Sequence, residues 1–165
     1  MDTPKAQKHP NQYFDWDVFM SHLLGAYLDI DSPNYLFTHV FFDEQKYPEV
    51  LQFIEAHYKV TEDTEPNTDV SYGYFVECVN WSAILRVSFV GRYFYLSSLF
   101  EGGGEEEPTV ETLSDSSKSS LMRYMLDAGF VFTSGNVLKK KIMFGGQPTS
   151  VYSLLYSYED EPSWL

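Results

Sequence analysis

Four histidines, His9, His22, His39 and His57, and several close carboxylates are the side chains whose types could support acid–base or metal chemistry. A local metal site needs ligands one helical turn apart or a dense cysteine–histidine spacing, and a metalloprotease helix adds an acidic neighbour. No two histidines here are spaced that way. The best local set is His39 with Asp43 and Glu44, at the end of an aromatic run where catalytic groups often sit. It supports one alternative reading, a small hydrolase or metal-dependent enzyme; the other alternative is a non-catalytic regulatory interaction module. Paired carboxylates catalyse only at a defined separation and with a shifted pKa. Asp15/Asp17, Glu62/Asp63 and Glu105 to Glu107 instead stand in polar context, as a solvated surface would. Gly102-Gly103-Gly104 lacks a following Lys-Ser/Thr and is flanked by Glu101 and Glu105, so it would repel a phosphate rather than cradle it. There is no Gly-x-Ser-x-Gly elbow. The single cysteine, Cys78, excludes an intrachain disulfide and a multi-cysteine zinc site, and its place in an alternating apolar run predicts a packed thiol. The expectation is a chain that is not an enzyme and uses no metal or cofactor.

Charge then carries the argument. Against 24 Asp and Glu stand 11 Lys and Arg, a formal net charge of −13. That balance opposes nucleic acid and anionic membranes, and favours encounter with a basic partner. The acidic residues concentrate in polar connections: Glu62, Asp63, Glu65 and Asp69; Glu101 with Glu105, Glu106 and Glu107; and Glu159, Asp160 and Glu161 beside Trp164. An acidic rim near an aromatic anchor suits a binder of a basic protein. The candidate partner-binding residues are therefore Glu101, Glu105, Glu106, Glu107, Glu159, Asp160, Glu161 and Trp164. The lone basic run, Lys139-Lys140-Lys141, reads as the last turn of a short helix, facing its dipole's negative end. No apolar core marks the N-terminal residues as a signal peptide, and no apolar run is long enough to span a bilayer; the expected location is cytoplasmic.

The elements that must position these residues centre on 70–100. Leu85, Val87 and Phe89 alternate with Arg86 and Ser88, and Tyr72, Tyr74, Val76 and Cys78 with Gly73, Phe75 and Glu77. The period of two predicts an antiparallel meander of three strands. Asn80, Trp81 and Ser82 would form its first connection, and Gly91, able to take positive φ, its second. Residues 1–12 read as a flexible arm. Phe14 to Leu28 recurs at helical spacing, Tyr35 to Phe42 reads as a short strand, and Pro48 opens a helix through Tyr58. Thr61 to Asp69 and Glu101 to Pro108 read as acidic loops. A helix within Leu113 to Asp127 stops at Gly129, and Val137 to Lys141 forms a short helix. Val151 to Tyr158 suits strand or helix. The 18% aromatic content argues for a packed core despite the charge. The fold expected is one α+β domain over residues 1–165, a central antiparallel sheet with helices packed against it.

Leu121 to Phe132 (Leu-Met-Arg-Tyr-Met-Leu-Asp-Ala-Gly-Phe-Val-Phe), then Val137 to Ile142 and Ser150 to Glu161, resembles small bacterial immunity proteins that neutralise polymorphic or contact-dependent toxins. The likeness lies in a helix ending in Gly-Phe, a short lysine-bearing helix and an acidic, aromatic C-terminal stretch, and covers about a quarter of the chain. It implies a cytosolic, non-enzymatic inhibitor that covers or distorts the active site of one cognate toxin domain, often a basic nuclease.

Overall fold

The computed structural model describes residues 13–109 and 119–165. The expected arm at 1–12, and the 113–118 portion of the expected third long helix, lie outside the described residues. Along the chain run α1 (Trp16–Tyr27), α2 (Leu36–Asp43), α3 (Pro48–His57), β1 (Lys59–Glu62), β2 (Ser71–Cys78), β3 (Trp81–Ser88), β4 (Tyr93–Ser98), α4 (Ser119–Asp127), β5 (Val131–Phe132), α5 (Gly135–Leu138), β6 (Lys141–Phe144), β7 (Gln147–Ser150) and α6 (Val151–Leu155). The fold is α+β, as the patterning indicates. Its sheet has the order β1-β2-β3-β4-β5, and β6 and β7 form a separate hairpin. β1 to β4 pair antiparallel in sequence, whereas β5 pairs parallel to β4 through Tyr93↔Val131 and Phe94↔Phe132, so the sheet is mixed.

The alternation in β2 and β3 divides the core into two layers. Tyr72, Tyr74, Val76, Ala83, Leu85 and Val87 pack with Val50 and Ile54 of α3 and Leu121 and Met125 of α4. On the other face Tyr95 packs with Phe19, Leu23 and Tyr27 of α1 and with Val151, Tyr152, Leu155 and Tyr156 in and after α6. Arg86 and Ser88 point to this second layer and are buried. Tyrosine dominates because each ring fills volume while its hydroxyl reaches a carbonyl at the layer's edge. The Tyr27 hydroxyl donates to Leu154 O (2.8 Å), that of Tyr152 to Asp160 O (2.7 Å), and that of Tyr47 to Ser88 O (3.0 Å).

Several expectations need correction. Tyr35 to Phe42 is not a strand but α2. Asn34 Oδ1 accepts from Leu36 N, the Thr38 hydroxyl donates to Tyr35 O, and Phe37 and Phe41, one turn apart, reach the core while His39 stays exposed. The β-prone composition is overridden by that one-turn stripe. The first hairpin turns at Val79–Asn80, with Trp81 and Ser82 already in β3. Cys78, paired with Trp81 at the hairpin's end, is exposed, not packed. Thr61 and Glu62 belong to the edge strand β1, and Lys141 belongs to β6, since α5 ends at Leu138. Val151 opens a helix, with the Ser150 hydroxyl capping Ser153 N. Gly91 is not in the left-handed region. A Cβ there would lie 2.8 Å from the Tyr93 ring and 3.1 Å from His22 Nδ1, so close approach, not turn geometry, requires glycine.

Candidate functional site

The acidic segments come to different ends. Gly102, Gly103 and Gly104 all have positive φ, which reverses the chain so that Glu105 bridges Leu99 and Glu106 N donates to Ser98 O. The 101–107 stretch is thereby laid along the end of β4. Glu101 is exposed, but Glu105 is half-buried and accepts from the Tyr95 hydroxyl at 3.2 Å. Burial pushes the Glu105 carboxyl above its ordinary value, with the Arg86 guanidinium pulling the other way. Glu106 is half-buried, and its carbonyl accepts from the Ser97 hydroxyl. Glu107 pairs with Lys139 at 2.7 Å, over Gly135, where a Cβ would overlap its carboxylate.

The other two segments, 63–69 and 157–161, are joined in space. Gly73 makes room for the first: Asp63 N donates to Gly73 O, Gly73 N donates to the Thr64 hydroxyl, and a Cβ on Gly73 would lie 2.9 Å from Asp63 O. Asp69 Oδ2 accepts from Glu65 N at 2.9 Å and closes the turn. Val70 N donates to Tyr156 O and Tyr158 N to Thr68 O, while Asp69 bridges Ser157. The Tyr158 hydroxyl donates to Asn67 O. Beneath this seam sits Arg86, its Nη2 2.8 Å from Asp160 Oδ2 and its Nη1 3.4 Å from Asp69 Oδ2. The side chains of Arg86 and Asp69 are 5% and 1% exposed, whereas Asp160 is 71% exposed. Burial opposes the charge on Arg86, but the Tyr95 and Tyr152 phenols and the Asp69 and Asp160 carboxylates outweigh it and hold the pKa above the usual value. Asp69 Oδ1, Arg86 Nε and Nη1, and Trp164 Nε1 are buried without hydrogen-bond partners. Between the two segments opens a groove of about 570 Å³ lined by Asp63, Glu65, Asn67, Thr68, Asp69, Glu159 and Asp160.

Trp164 does not stand free as an anchor. Its ring meets Tyr95 and Tyr152 edge-on, with centroids 6.1 and 6.0 Å away, and pins the segment that carries Glu159, Asp160 and Glu161. Of the eight residues expected at a partner surface, Glu101, Glu159, Asp160 and Glu161 are exposed, Glu106 is half-buried, and Glu105, Glu107 and Trp164 make internal contacts. Arg86 was visible in the sequence only as a charge on the face of β3 opposite Leu85 and Val87; its meaning depends on Asp69 and Asp160, which adjacency in the chain cannot reveal.

His9 lies outside the described residues, and His22, His39 and His57 form no shared cluster. His22 Nδ1 lies 2.7 Å from the Tyr93 hydroxyl, and the two help line a cavity of about 480 Å³ with Phe14, Val18, Arg92 and Val131. Burial, then Lys46, lowers the His22 pKa, while burial and then Asp15 push Tyr93 up to about 12. His57 stacks on Phe53. His39, Asp43 and Glu44 are all exposed on and beside α2. Among the described residues no three His, Cys, Asp or Glu are grouped to hold a metal ion, and no helix is long and apolar enough to cross a membrane. Comparison of the chain with protein-family models, with curated proteins and with solved structures finds no match in any of the three.

Proposed function

We propose that this protein is an acidic immunity-type inhibitor that binds and neutralises one cognate, basic bacterial toxin domain. The observation that carries the reading is the distribution of charge. Lys59, Arg86, Arg92 and Lys139 each face a carboxylate, so part of the scarce positive charge is neutralised in place. The exposed carboxylates of Asp63, Glu65, Glu159 and Asp160 meanwhile gather along one groove from distant parts of the chain. Such a surface speeds encounter with a cationic protein and selects against acidic ones. The covering segments are held by backbone hydrogen bonds and an internal ion pair, which lowers the ordering cost on binding.

The partner to test is the variable C-terminal domain of a large secreted protein encoded beside this chain. Co-expression should restore growth to cells producing that domain, and the two should co-purify as a complex whose association slows as salt is raised. Unchanged toxicity together with no complex at low salt defeats the reading.

A further inference from the structure

We infer that the cavity between α1, β4 and β5 binds a free α-amino acid with an apolar side chain. It shares no lining residue with the acidic groove, and the inference does not depend on the inhibitor reading. At about 480 Å³ the cavity has the size of a small-molecule site, and its walls divide by chemistry. Phe14, Val18 and Val131 supply apolar surface. Phe14 is held in place by ring contacts with Trp16, Phe19 and Tyr93, at 5.0, 5.1 and 5.9 Å between centroids. Arg92, His22 and Tyr93 supply donors, and Asp15 supplies a carboxylate. Gly91 leaves the room in which the His22–Tyr93 pair sits.

The hydrogen bonds already made show what is left for a ligand. Burial lowers the His22 pKa and keeps its ring neutral near pH 7. A neutral imidazole and a phenol each carry one proton, and the 2.7 Å contact between them uses one of the two. In either tautomer the pair therefore keeps one N–H or O–H to donate. Arg92 donates through Nη1 to Ala128 O at 2.9 Å and pairs only loosely, at 3.5 Å, with Glu49, which leaves part of its fork uncommitted. Asp15 gives Oδ1 to the Val18 amide as the cap of α1 and keeps Oδ2. A ligand carboxylate accepts from Arg92 and from the His22–Tyr93 pair, an ammonium meets Asp15, and an apolar side chain lies against Phe14, Val18 and Val131. A ligand with only one of the two charges leaves the opposite wall unanswered, so the zwitterion is selected.

The full chain, labelled with nitrogen-15, is titrated with L-phenylalanine and, in parallel, with phenylalaninamide and 3-phenylpropanoate, which lack the carboxylate and the ammonium respectively. Phenylalanine is expected to shift the amides of 14–18, 22, 92–93 and 129–131, and each analogue to bind at least about tenfold more weakly. Arg92→Gln should weaken phenylalanine binding by a similar factor, about tenfold or more. His22→Ala, at an exposed position, should weaken it about three- to tenfold and serves where Arg92→Gln does not fold. Absence of shifts at those amides with about 10 mM phenylalanine overturns the inference. An analogue that binds as well as phenylalanine, or an unchanged affinity in His22→Ala, overturns it equally. None of these outcomes touches the inhibitor reading, which stands or falls with the toxin domain.

Discussion

Arg86 and Asp69 show how unequal two ion pairs on one cation can be. Asp69→Ala takes the buried carboxylate from a guanidinium that is almost fully buried and leaves it only the exposed Asp160, and should cost about 3 kcal/mol in urea unfolding. Asp160→Ala removes the closer but exposed partner and should cost no more than about 1 kcal/mol. Comparable losses would mean that solvent reaches Arg86 in the folded chain. Glu105 gives a pH signature. Its folded pKa is raised above the ordinary 4.5, so the folded chain binds that proton more tightly than the unfolded one. Its contribution to stability therefore declines as pH rises from the unfolded value through the folded one. Glu105→Gln should gain stability relative to the native chain over the same window, seen as a difference in urea midpoints that widens from pH ~4 to ~7. A constant difference would show that Glu105 titrates as in water. Neither residue's role is legible in the sequence. Arg86 reads as a strand charge and Glu105 as one of an exposed acidic run, because burial there is created by Asp69, Tyr152 and Trp164, all distant in the chain.

At the scale of elements, the meander was legible because its alternation is local and its apolar register is filled by β-branched and aromatic residues. α2 was not, since Leu-Phe-Thr-His-Val-Phe-Phe satisfies a strand and a helix alike until Phe37 and Phe41 find their core. β1 and β5 were missed for a related reason. Four residues and two residues carry too little pattern, and both strands exist by pairing with β2 and β4. The 157–165 segment has no regular structure of its own and depends on Trp164 and the Asp160 contacts. Trp164→Ala should cost about 2 kcal/mol, below the range for a fully buried tryptophan because the ring is half-buried. The amides of Tyr158 and Asp160 should then exchange faster than those of β3. Unaltered exchange at those two positions would show that the segment is held by other contacts.

For the whole molecule, charge reversal separates steering from folding. Glu101, Glu159 and Glu161 are exposed, so Glu101→Lys, Glu159→Lys and Glu161→Lys together take the net charge from −13 to −7 with little effect on stability. Association with the basic partner should slow ~10-fold or more at low salt, and the difference should shrink as salt is added. Reversing Glu105 or Glu107 is the poorer test, since both are tied into the fold. The acidic character and the α+β class could be read from the chain; the joining of 63–69 to 157–161 could not, because backbone pairing between such distant segments leaves no local pattern. That seam has an optical consequence. The Trp164 indole is locked perpendicular to the Tyr95 and Tyr152 rings, at 89° and 90°. Fixed aromatic neighbours of this kind give rise to near-ultraviolet circular dichroism, which vanishes when tertiary packing loosens. The unlabelled chain thus carries its own gauge of whether one wall of the groove is seated, and that signal can fade while the far-ultraviolet spectrum of the sheet and helices persists.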